Sequence, residues 1–327
     1  MLARSETAPE SSLPSLELVG VVGAGAMGVG IAAAVAMSGT PVRCLTRSRR
    51  SLDQTRSRLA ASFGVLVNAG LLDEDASRRA VALVSFADDI PSTVAGCSLV
   101  VESVKEELEL KQAVLAEIAA AAPPSAIITT NTSSLSLPDL ERAVTPPERF
   151  AGLHWFLPAE LVQVVEIVRG PSTSAATAQA LTTFVQRLRK HALHVRKPVP
   201  GFVVNRLQYA LLREAHALLR DGVCTPEDLD AALVHALGPR WAAVGPLESM
   251  DLAGLDVHLA VAEQLFPSLS DSNEPPQHLR AMVEGGDLGA KSGTGLRGSY
   301  DAQRLVSIAR RRAETVRALR DRTGSST

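Results

Sequence analysis

The sequence lacks the features of disulfide-rich, membrane-spanning and nucleic-acid-binding proteins. Its 327 residues include three cysteines, Cys44, Cys97 and Cys224, whose spacing fits neither a disulfide framework nor a zinc site. A formal net charge of −2 gives no reason to expect nucleic acid or an acidic membrane surface as a partner. No apolar run is long enough to span a bilayer. We therefore expect a cytoplasmic protein with no metal, no nucleic acid and no membrane partner.

Composition shifts along the chain predict two domains and two tails. Residues 1–17 are polar and rich in proline, and they lack the apolar centre of a signal peptide, so we expect a disordered tail. Proline and glycine cluster at 197–201, which predicts a domain boundary. We predict a first domain over residues 18–198, a helical second domain over 199–322, and a short tail over 323–327.

The first domain alternates between strand-like and helix-like segments. Strands are predicted at Leu18–Val22, Val42–Leu45, Val81–Val84, Leu99–Glu102, Ile127–Thr130, Ala151–His154 and Val162–Val168. Helices are predicted at Ser51–Asn68, Glu107–Ala121 and Ala175–Lys190, and in the second domain at 202–220 and 303–322. Such alternation predicts an α/β fold with a mainly parallel sheet, whose last strands pair antiparallel at one edge. An all-helical domain follows.

A glycine-rich turn directly follows the first predicted strand and precedes an apolar helix. Its residues are Gly23, Ala24, Gly25, Ala26, Met27 and Gly28. Glycines at this spacing permit a tight turn and a close approach of the backbone to a diphosphate, towards which the helix N-terminus points. The alternative is a glycine-rich turn that binds no ligand. The strand before and the helix after favour a Rossmann-type, doubly wound dinucleotide-binding domain.

The end of the second strand bears on which nicotinamide cofactor is bound. NAD-specific folds usually place a carboxylate there, which accepts hydrogen bonds from the adenosine ribose. Thr46 occupies this place, and Arg47 and three further polar or basic residues follow. Hydroxyl and guanidinium donors suit the 2′-phosphate of NADP. A solvated basic loop is the alternative. We expect NADP(H) to be preferred, with NAD(H) as the second choice.

Four polar residues form the candidate catalytic set. Ser133 follows a predicted strand, His154 ends one, Glu166 lies within an apolar one, and Asn205 follows the domain boundary. Each has a structural alternative, as a turn, cap or hydrogen-bonded core residue. An isolated buried carboxylate is costly, so we expect Glu166 to pair with His154 and fix its tautomer. Ligands of open α/β sheets bind beyond the carboxyl ends of the strands, where this set is expected to lie.

Several segments, in their order and spacing, resemble the 3-hydroxyacyl-CoA dehydrogenase superfamily over nearly all of residues 18–320. They are the glycine turn, Val101–Ser103, Glu106–Lys111, Asn131–Ser134, Gly152–His154, Val165–Glu166, Gly201–Arg206 and Gly289–Gly295. Segments at 207–210, 221–223, 238–241 and 245–248 resemble the branch that contains lambda-crystallin and L-gulonate 3-dehydrogenase.

The resemblance implies a role for each candidate. His154 would take the proton from a 3-hydroxyl group, or return it to a 3-ketone, and Glu166 would orient it. Ser133 and Asn205 would hydrogen-bond the substrate oxygens, with Ser133 also near the cofactor. Three residues would lie by the ribose and nicotinamide end of the cofactor: Glu106, Lys111 and Lys291. The family also implies a homodimer built through the helical domain.

The chain departs from the family at three places. Thr46 replaces an Asp, and Leu157 replaces the Asn usual after the aromatic pair that follows the catalytic His. The helix at 51–68 has only Arg56 and Arg58 in place of the lysines that hold the phosphates of CoA. We expect a small-molecule 3-hydroxy or 3-keto substrate without CoA: a free hydroxy acid, a carrier-bound compound, or a cyclic 3-keto compound. The last would make the protein a ketoreductase of a polyketide or other secondary-metabolite pathway.

Other activities are also compatible with the sequence. One alternative is an NAD-dependent 3-hydroxybutyryl-CoA or L-gulonate 3-dehydrogenase. A second is a β-hydroxyacid dehydrogenase of the 6-phosphogluconate type, which would use Lys190 or Lys197 as its acid and base. A third is a cofactor-binding structural protein of the crystallin kind, without activity.

Overall fold

The structure is a computed structural model that describes residues 16–323. The predicted tails lie outside the described residues except at 16, 17 and 323. The tail prediction is wrong at Leu16, which is buried in the core, and at Glu17, whose backbone N–H donates to the Ser98 hydroxyl at 2.8 Å. Apolar burial begins before the first strand. Within the described residues, no helix combines the length and the apolar character that crossing a membrane requires.

Eight strands form one sheet. They are β1 Val19–Val22, β2 Val42–Leu45, β3 Val84–Ala87, β4 Leu99–Glu102, β5 Ile127–Thr130, β6 Phe150–His154, β7 Val164–Val168 and β8 His191–Val195. Their order in the sheet is β3-β2-β1-β4-β5-β6-β7-β8. All neighbours run parallel except β6 and β7. The order reverses between β1 and β4, and the crevice at such a reversal is where open α/β sheets bind ligands.

The helices of this sheet domain cover both of its faces. They are α1 Ala26–Met37, α2 Arg49–Asn68, α3 Glu74–Ala82, α4 Ile90–Val94, α5 Leu108–Ala121, α6 Leu137–Glu141 and α7 Ala175–Arg187, with a 3-10 turn at Pro147–Arg149. One core cluster joins the sheet to α1, α2 and α7, and the other joins it to α4, α5 and α6. The inner strands β1, β4, β5 and β6 bury side chains on both faces, which explains their continuous apolar sequences, whereas the edge strands β3 and β8 are partly exposed.

The predicted third strand is wrong in position. Residues up to Ala82 belong to α3, and β3 begins at Val84. The Asp73 side chain accepts a hydrogen bond from the Ala76 N–H and so caps α3, with Glu74 and Asp75 in the first turn. Pairing of Val42 with Val84 sets where β3 starts. Strand β8, which the sequence analysis does not predict, pairs parallel with β7 outside the antiparallel pair.

The remaining chain is mostly helical. Its elements are α8 Val204–Arg220, α9 Pro226–Ala232, α10 Gly238–Ala243, α11 Pro246–Ala253, α12 Leu255–Leu265, α13 Gln277–Glu284, α14 Ala302–Thr323, a π-helical turn at Leu233–Leu237, a 3-10 turn at Phe266–Ser268 and a hairpin of β9 Thr294–Gly295 and β10 Gly298–Ser299. The predicted fold class is confirmed, except that this small hairpin makes the second part not all-helical.

Contacts divide the chain into two compact units. The first holds the described residues up to Val203 together with Arg312–Arg317 of α14, and the second holds Val204–Arg311 and the residues from Ala318 onwards. The return of α14 to the first unit is not apparent from the sequence. Ala313 is fully buried there, and the Arg317 guanidinium donates to the carbonyl oxygen of Ala69 at 3.2 Å.

Candidate active site

The glycine turn between β1 and α1 has the shape that a bound diphosphate requires. Gly23 has a φ of +119°, and a Cβ atom there would overlap the backbone of Ser103. A Cβ on Gly28 would overlap the carbonyl oxygen of Gly23. A Cβ on Gly25 would instead meet open space. The outer glycines are therefore needed for the turn itself, and the middle one leaves room outside it. The residues present fit a dinucleotide.

A buried ion pair lies at the carboxyl end of β4, next to the glycine turn. The Lys111 ammonium donates to the Glu102 carboxylate at 2.8 Å and 3.1 Å, and both side chains are almost wholly buried. Glu102 also accepts hydrogen bonds from the Thr130 hydroxyl at 2.6 Å and the Val104 N–H at 2.6 Å. These partners satisfy the carboxylate, and they tie β4, β5 and α5 together. Sequence reasoning missed Glu102 and Thr130 as site residues, although Glu102 lies in one of the resembling segments.

The carboxylate of Glu106 holds the loop that follows β5. It accepts hydrogen bonds from the Thr132 hydroxyl at 2.7 Å and from the N–H groups of Ser133 and Ser134 at 2.8 and 3.0 Å. The hydroxyl of Ser133 lies 3.2 Å from the same oxygen. Burial alone would raise the pKa of Glu106, but these bonds and Lys111, 3.5 Å away, lower it below its usual value. Glu106 thus stays charged and fixes the position of Ser133.

The structure brings His154 and Glu166 together, as the sequence predicts. The two residues face each other in the antiparallel ladder of β6 and β7, and their Nδ1 and Oε2 atoms are 2.7 Å apart. The other carboxylate oxygen accepts a hydrogen bond from the Val203 N–H at 2.9 Å. The rings of Phe156 and Phe202 flank the imidazole at centroid distances of 4.5 and 5.4 Å. The carboxylate orients Nδ1 as the donor, which leaves Nε2 for chemistry.

Asn131 connects the strand ends that carry Ser133 and His154. Its side-chain oxygen accepts a hydrogen bond from the Trp155 N–H at 2.8 Å, and its amide nitrogen lies 3.4 Å from the Ser103 hydroxyl. The amide therefore fixes the chain beyond β6 against the ends of β4 and β5. The sequence analysis includes Asn131 only as the start of a resembling segment, because a bridging role depends on which strands are neighbours.

The residues that follow β2, at positions 46–50, include no Asp or Glu. Thr46 is buried, and its hydroxyl lies 3.5 Å from the Ala87 carbonyl oxygen. The Ser48 side chain accepts a hydrogen bond from the Ser51 N–H at 3.1 Å, so it caps α2. Arg47 is exposed. Because the two hydroxyl groups already have partners, the exposed arginines of this stretch, Arg47 among them, are the donors that it offers to an anion.

The remaining predicted residues are placed as follows. Asn205 is the second residue of α8 and belongs to the second unit, as does Lys291, which is exposed between α13 and β9. Leu157 is 62% exposed. Lys190 is buried, with its ammonium 6.0 Å from the centre of the Trp155 ring and donating to the Val162 carbonyl oxygen. These contacts give Lys190 a structural role and weaken the alternative in which it acts as acid and base.

The three cysteines are free thiols in the structure, and no group of three or more metal-binding side chains occurs among the residues described. Burial raises the pKa of Cys44 to about 12 and that of Cys97 to about 11, so neither is a reactive thiolate at neutral pH.

Comparison with protein families gives two matches that together cover most of the chain. The family described as "3-hydroxyacyl-CoA dehydrogenase, NAD binding domain" matches residues 18–198, and "3-hydroxyacyl-CoA dehydrogenase, C-terminal domain" matches residues 201–298.

Individual relatives agree with this match. The chain is 32% identical over 302 residues to 5-formyl-3-hydroxy-2-methylpyridine 4-carboxylate 5-dehydrogenase of Mesorhizobium japonicum, covering 92% of this chain and 96% of that one. A crystal structure of an enzyme of that name, described as an NAD⁺-dependent dismutase, is 31% identical with a TM-score of 0.85 and covers 93% of this chain and 97% of that one. The 3-hydroxybutyryl-CoA dehydrogenase of Bradyrhizobium diazoefficiens is 37% identical over 290 residues, 88% of this chain and 95% of that one.

Proposed function

The chain belongs to the 3-hydroxyacyl-CoA dehydrogenase family, and we propose that it interconverts a 3-hydroxy and a 3-keto group on an acyl or carboxylate-bearing substrate with NADP(H). Matches to both family domains and to named dehydrogenases support an oxidoreductase that acts on a CH–OH group with a nicotinamide cofactor. The observation that carries the proposal is the pairing of His154 with Glu166 at 2.7 Å, at the same sheet edge as the glycine turn.

His154 performs the proton transfer. With Nδ1 held by Glu166, its Nε2 atom accepts the proton of the substrate 3-hydroxyl group, or donates a proton to the 3-ketone oxygen in the other direction. Glu166 stabilises the imidazolium that forms during the step. A nicotinamide cofactor, when bound, supplies or accepts the hydride at C3. The apolar rings of Phe156 and Phe202 limit the access of water to the imidazole.

The other candidate residues bind the substrate and the cofactor and hold them in position. The Ser133 hydroxyl, fixed through Glu106, contacts the substrate oxygen and the cofactor, and Asn205 hydrogen-bonds a substrate oxygen. Glu106, Lys111 and Lys291 serve the ribose and nicotinamide end of the cofactor. The burial of Lys111 between Glu102 and Glu106 supports a role for this lysine in holding Glu106 beside the cofactor.

The choice of NADP(H) rests on the end of β2. The matched family is described as NAD binding, and one relative is described as NAD⁺-dependent, which favours the alternative cofactor. In this chain, however, Thr46 replaces the carboxylate that would accept the ribose hydroxyl groups, and the exposed Arg47 follows it. A guanidinium without a competing carboxylate favours the 2′-phosphate of NADP.

Steady-state kinetics test activity and cofactor choice together. NADPH and NADH are compared with acetoacetyl-CoA, free acetoacetate and cyclic 3-keto compounds for the wild type and for Thr46→Asp. We expect turnover with NADPH preferred, and a fall of at least about tenfold in the NADPH/NADH ratio of kcat/KM for Thr46→Asp, because the new carboxylate repels the phosphate.

Ser57→Asp is the matched control, because it adds the same charge at an exposed position of α2. Its ratio should stay near that of the wild type. Equal efficiencies, or better efficiency with NADH, would overturn the NADP preference. Cofactor binding without turnover of any substrate in the panel would favour the non-enzymatic alternative.

The site is also less suited to a CoA thioester than to a substrate without that large carrier. Beyond Arg49 and Arg50 in its first turn, α2 has only Arg56 and Arg58 as basic side chains. Arg56 lies over the Phe86 ring at 5.5 Å, and Arg58 is exposed. The name of the Mesorhizobium relative gives its substrate as a pyridine carboxylate. Both observations support a carboxylate-bearing or cyclic substrate, including one of a secondary-metabolite pathway.

A further inference from the structure

Strand β6 extends beyond its neighbour β5 at the carboxyl edge of the sheet. The parallel ladder that joins the two strands stops at the pair Thr130 and Gly152. There β5 ends, and its chain continues into the loop that carries Ser133, whereas β6 continues to His154. On its other side, β6 stays paired with β7 as far as His154. The last two residues of β6 therefore lie beyond the described ladder on the β5 side.

The side chain of Asn131 supports the end of β6 on this side. The backbone N–H of Asn131 donates to the Glu102 carbonyl oxygen at 2.8 Å, which fixes the residue against β4. Its Oδ1 atom accepts a hydrogen bond from the backbone N–H of Trp155, the residue after His154, at 2.8 Å. The carboxamide oxygen thus takes the place of the backbone carbonyl oxygen that a longer β5 would offer. This bond fixes the backbone next to the imidazole.

Trp155 is too deeply buried to exchange this bond for one with water. The residue is 3% exposed, and it belongs to the core cluster that joins the sheet to α1, α2 and α7. Its N–H would stay inside the protein if position 131 offered no acceptor. Because an unpaired buried N–H is costly, the chain would then shift towards another acceptor. His154 is the preceding residue and would move with it.

The amide nitrogen of Asn131 faces Ser103, which packs against the glycine turn. Its Nδ2 atom is 3.4 Å from the Ser103 hydroxyl. The Ser103 N–H donates to the Val22 carbonyl oxygen at 2.8 Å, and the Ser103 carbonyl group lies where it would overlap a Cβ atom on Gly23. Contacts therefore run from the turn that fits the cofactor diphosphate to the residue after His154. The groups in this connection are uncharged, so none of them repels the phosphates of the cofactor.

We propose that Asn131 is a positioning residue for proton transfer, which holds His154 at a fixed place relative to the glycine turn. The proposal rests on the proposed function and adds to it a residue that acts through the imidazole without touching the reacting atoms. A general base must lie within about 2.6–3.2 Å of the group whose proton it takes, and a misplacement of about 1 Å can lower the rate by about 100-fold. The bond between Asn131 and the Trp155 N–H keeps the imidazole within that range.

Hydrogen exchange of the Trp155 amide tests the bond without any need for turnover. In the wild type we expect this amide to exchange at least about 100-fold more slowly than in an unstructured peptide. In Asn131→Ala its exchange should become at least about tenfold faster, while the amides of β1 and β4 keep their rates. Asn131→Asp keeps an acceptor oxygen at the same place and should retain the wild-type rate. An unprotected Trp155 amide in the wild type, or an unchanged rate in Asn131→Ala, would overturn the proposal.

Kinetics and cofactor binding test whether the bond serves the chemical step. Asn131→Ala should lower kcat by about 10- to 100-fold and change the Kd for NADPH, measured by fluorescence, by less than about threefold. Asn131→Asp should restore kcat to within about fivefold of the wild-type value, because the acceptor is kept. Asn68→Ala is the control, since it removes an exposed carboxamide at the end of α2, and it should change neither kcat nor Kd. The thermal unfolding temperature establishes that each variant folds.

A double-mutant cycle separates positioning from a general structural role. If Asn131 acts through the imidazole, Asn131→Ala should lower the residual kcat of His154→Ala by less than about twofold. Losses that multiply in the double variant would show that Asn131 acts elsewhere, and they would contradict the proposal.

Failure of this proposal and failure of the proposed function give different results. If no 3-keto substrate reacts, the exchange rates still decide whether Asn131 holds the end of β6. Turnover by the wild type with an unchanged kcat in Asn131→Ala would instead leave the proposed function in place and remove only the role of Asn131.

Discussion

At the scale of single residues, the surroundings of Glu166 explain how a carboxylate is kept within an apolar strand. It is fully buried, and its two oxygens accept hydrogen bonds from the imidazole of His154 and from the backbone N–H of Val203. A carboxylate left without such partners would cost several kcal/mol. The same contacts orient the imidazole, so one arrangement both stabilises the fold and holds the ring as the proposed proton transfer requires.

Replacing His154 tests that assignment. His154→Ala should lower kcat by at least about 100-fold, since general acid–base catalysis contributes on the order of 10²–10⁴-fold. The thermal unfolding temperature is measured alongside, to establish that the variant folds. His191→Ala is the control, because it removes an exposed imidazole from β8 of the same sheet. Turnover close to that of the wild type in His154→Ala would mean that another group moves the proton.

At the scale of elements, the glycines of the turn between β1 and α1 differ in the reason for which glycine stands there. Gly28 is needed because a Cβ atom there would overlap the Gly23 carbonyl, whereas Gly25 has a φ of −71° and open space beside it. Among the described residues no atom would clash with a Cβ at position 25, where Gly25 is the N-cap of α1. Glycine at this place would also allow the close approach of a ligand to the backbone.

Paired alanine variants measure this difference. Gly28→Ala should lower the thermal unfolding temperature by several degrees, because the turn cannot keep its shape. Gly25→Ala should lower that temperature by less than Gly28→Ala does, since alanine fits there but is a poorer N-cap, and it should weaken binding of the nicotinamide cofactor by at least about tenfold, as measured by fluorescence or calorimetry. Unchanged cofactor affinity in Gly25→Ala would show that the diphosphate does not approach this turn.

At the scale of the whole molecule, the second unit buries few of its own apolar side chains. Among its described residues only Ala215 and Ala217 are buried, while large apolar side chains lie on its surface. The most exposed are Leu252 at 76%, Leu247 at 75% and Phe266 at 72%. Exposed apolar surface of this extent marks an interaction face. A second copy of the chain, as the family resemblance implies, would cover it.

Solution mass measurements test the homodimer. We expect light scattering to give the mass of a dimer for the wild type and of a monomer for Leu252→Glu, because the new charge would be buried at the interface. Val81→Glu is the control, since Val81 is also exposed but lies on α3 of the first unit, and it should remain dimeric. A wild-type protein of monomeric mass would contradict the assignment.

Sequence reasoning succeeded where the signal is local. Strands β2, β4 and β5 have the predicted bounds, because short apolar runs between turn residues leave little freedom. It failed at residues 81–84, where the capped start of α3 extends the helix and pairing with β2 sets the strand. The pairing of His154 with Glu166 was predicted from the cost of a buried carboxylate, whereas the bridge made by Asn131 was not.

The sequence by itself determined the class of fold, the glycine turn and the pairing of His154 with Glu166, since each depends on backbone sterics, apolar periodicity or desolvation within a short stretch. Only the tertiary structure decided which distant groups meet: Lys111 with Glu102 and Glu106, and Asn131 with Trp155. Such contacts depend on strand order and helix packing. These are set by the free energy of the whole chain, and no local pattern records them.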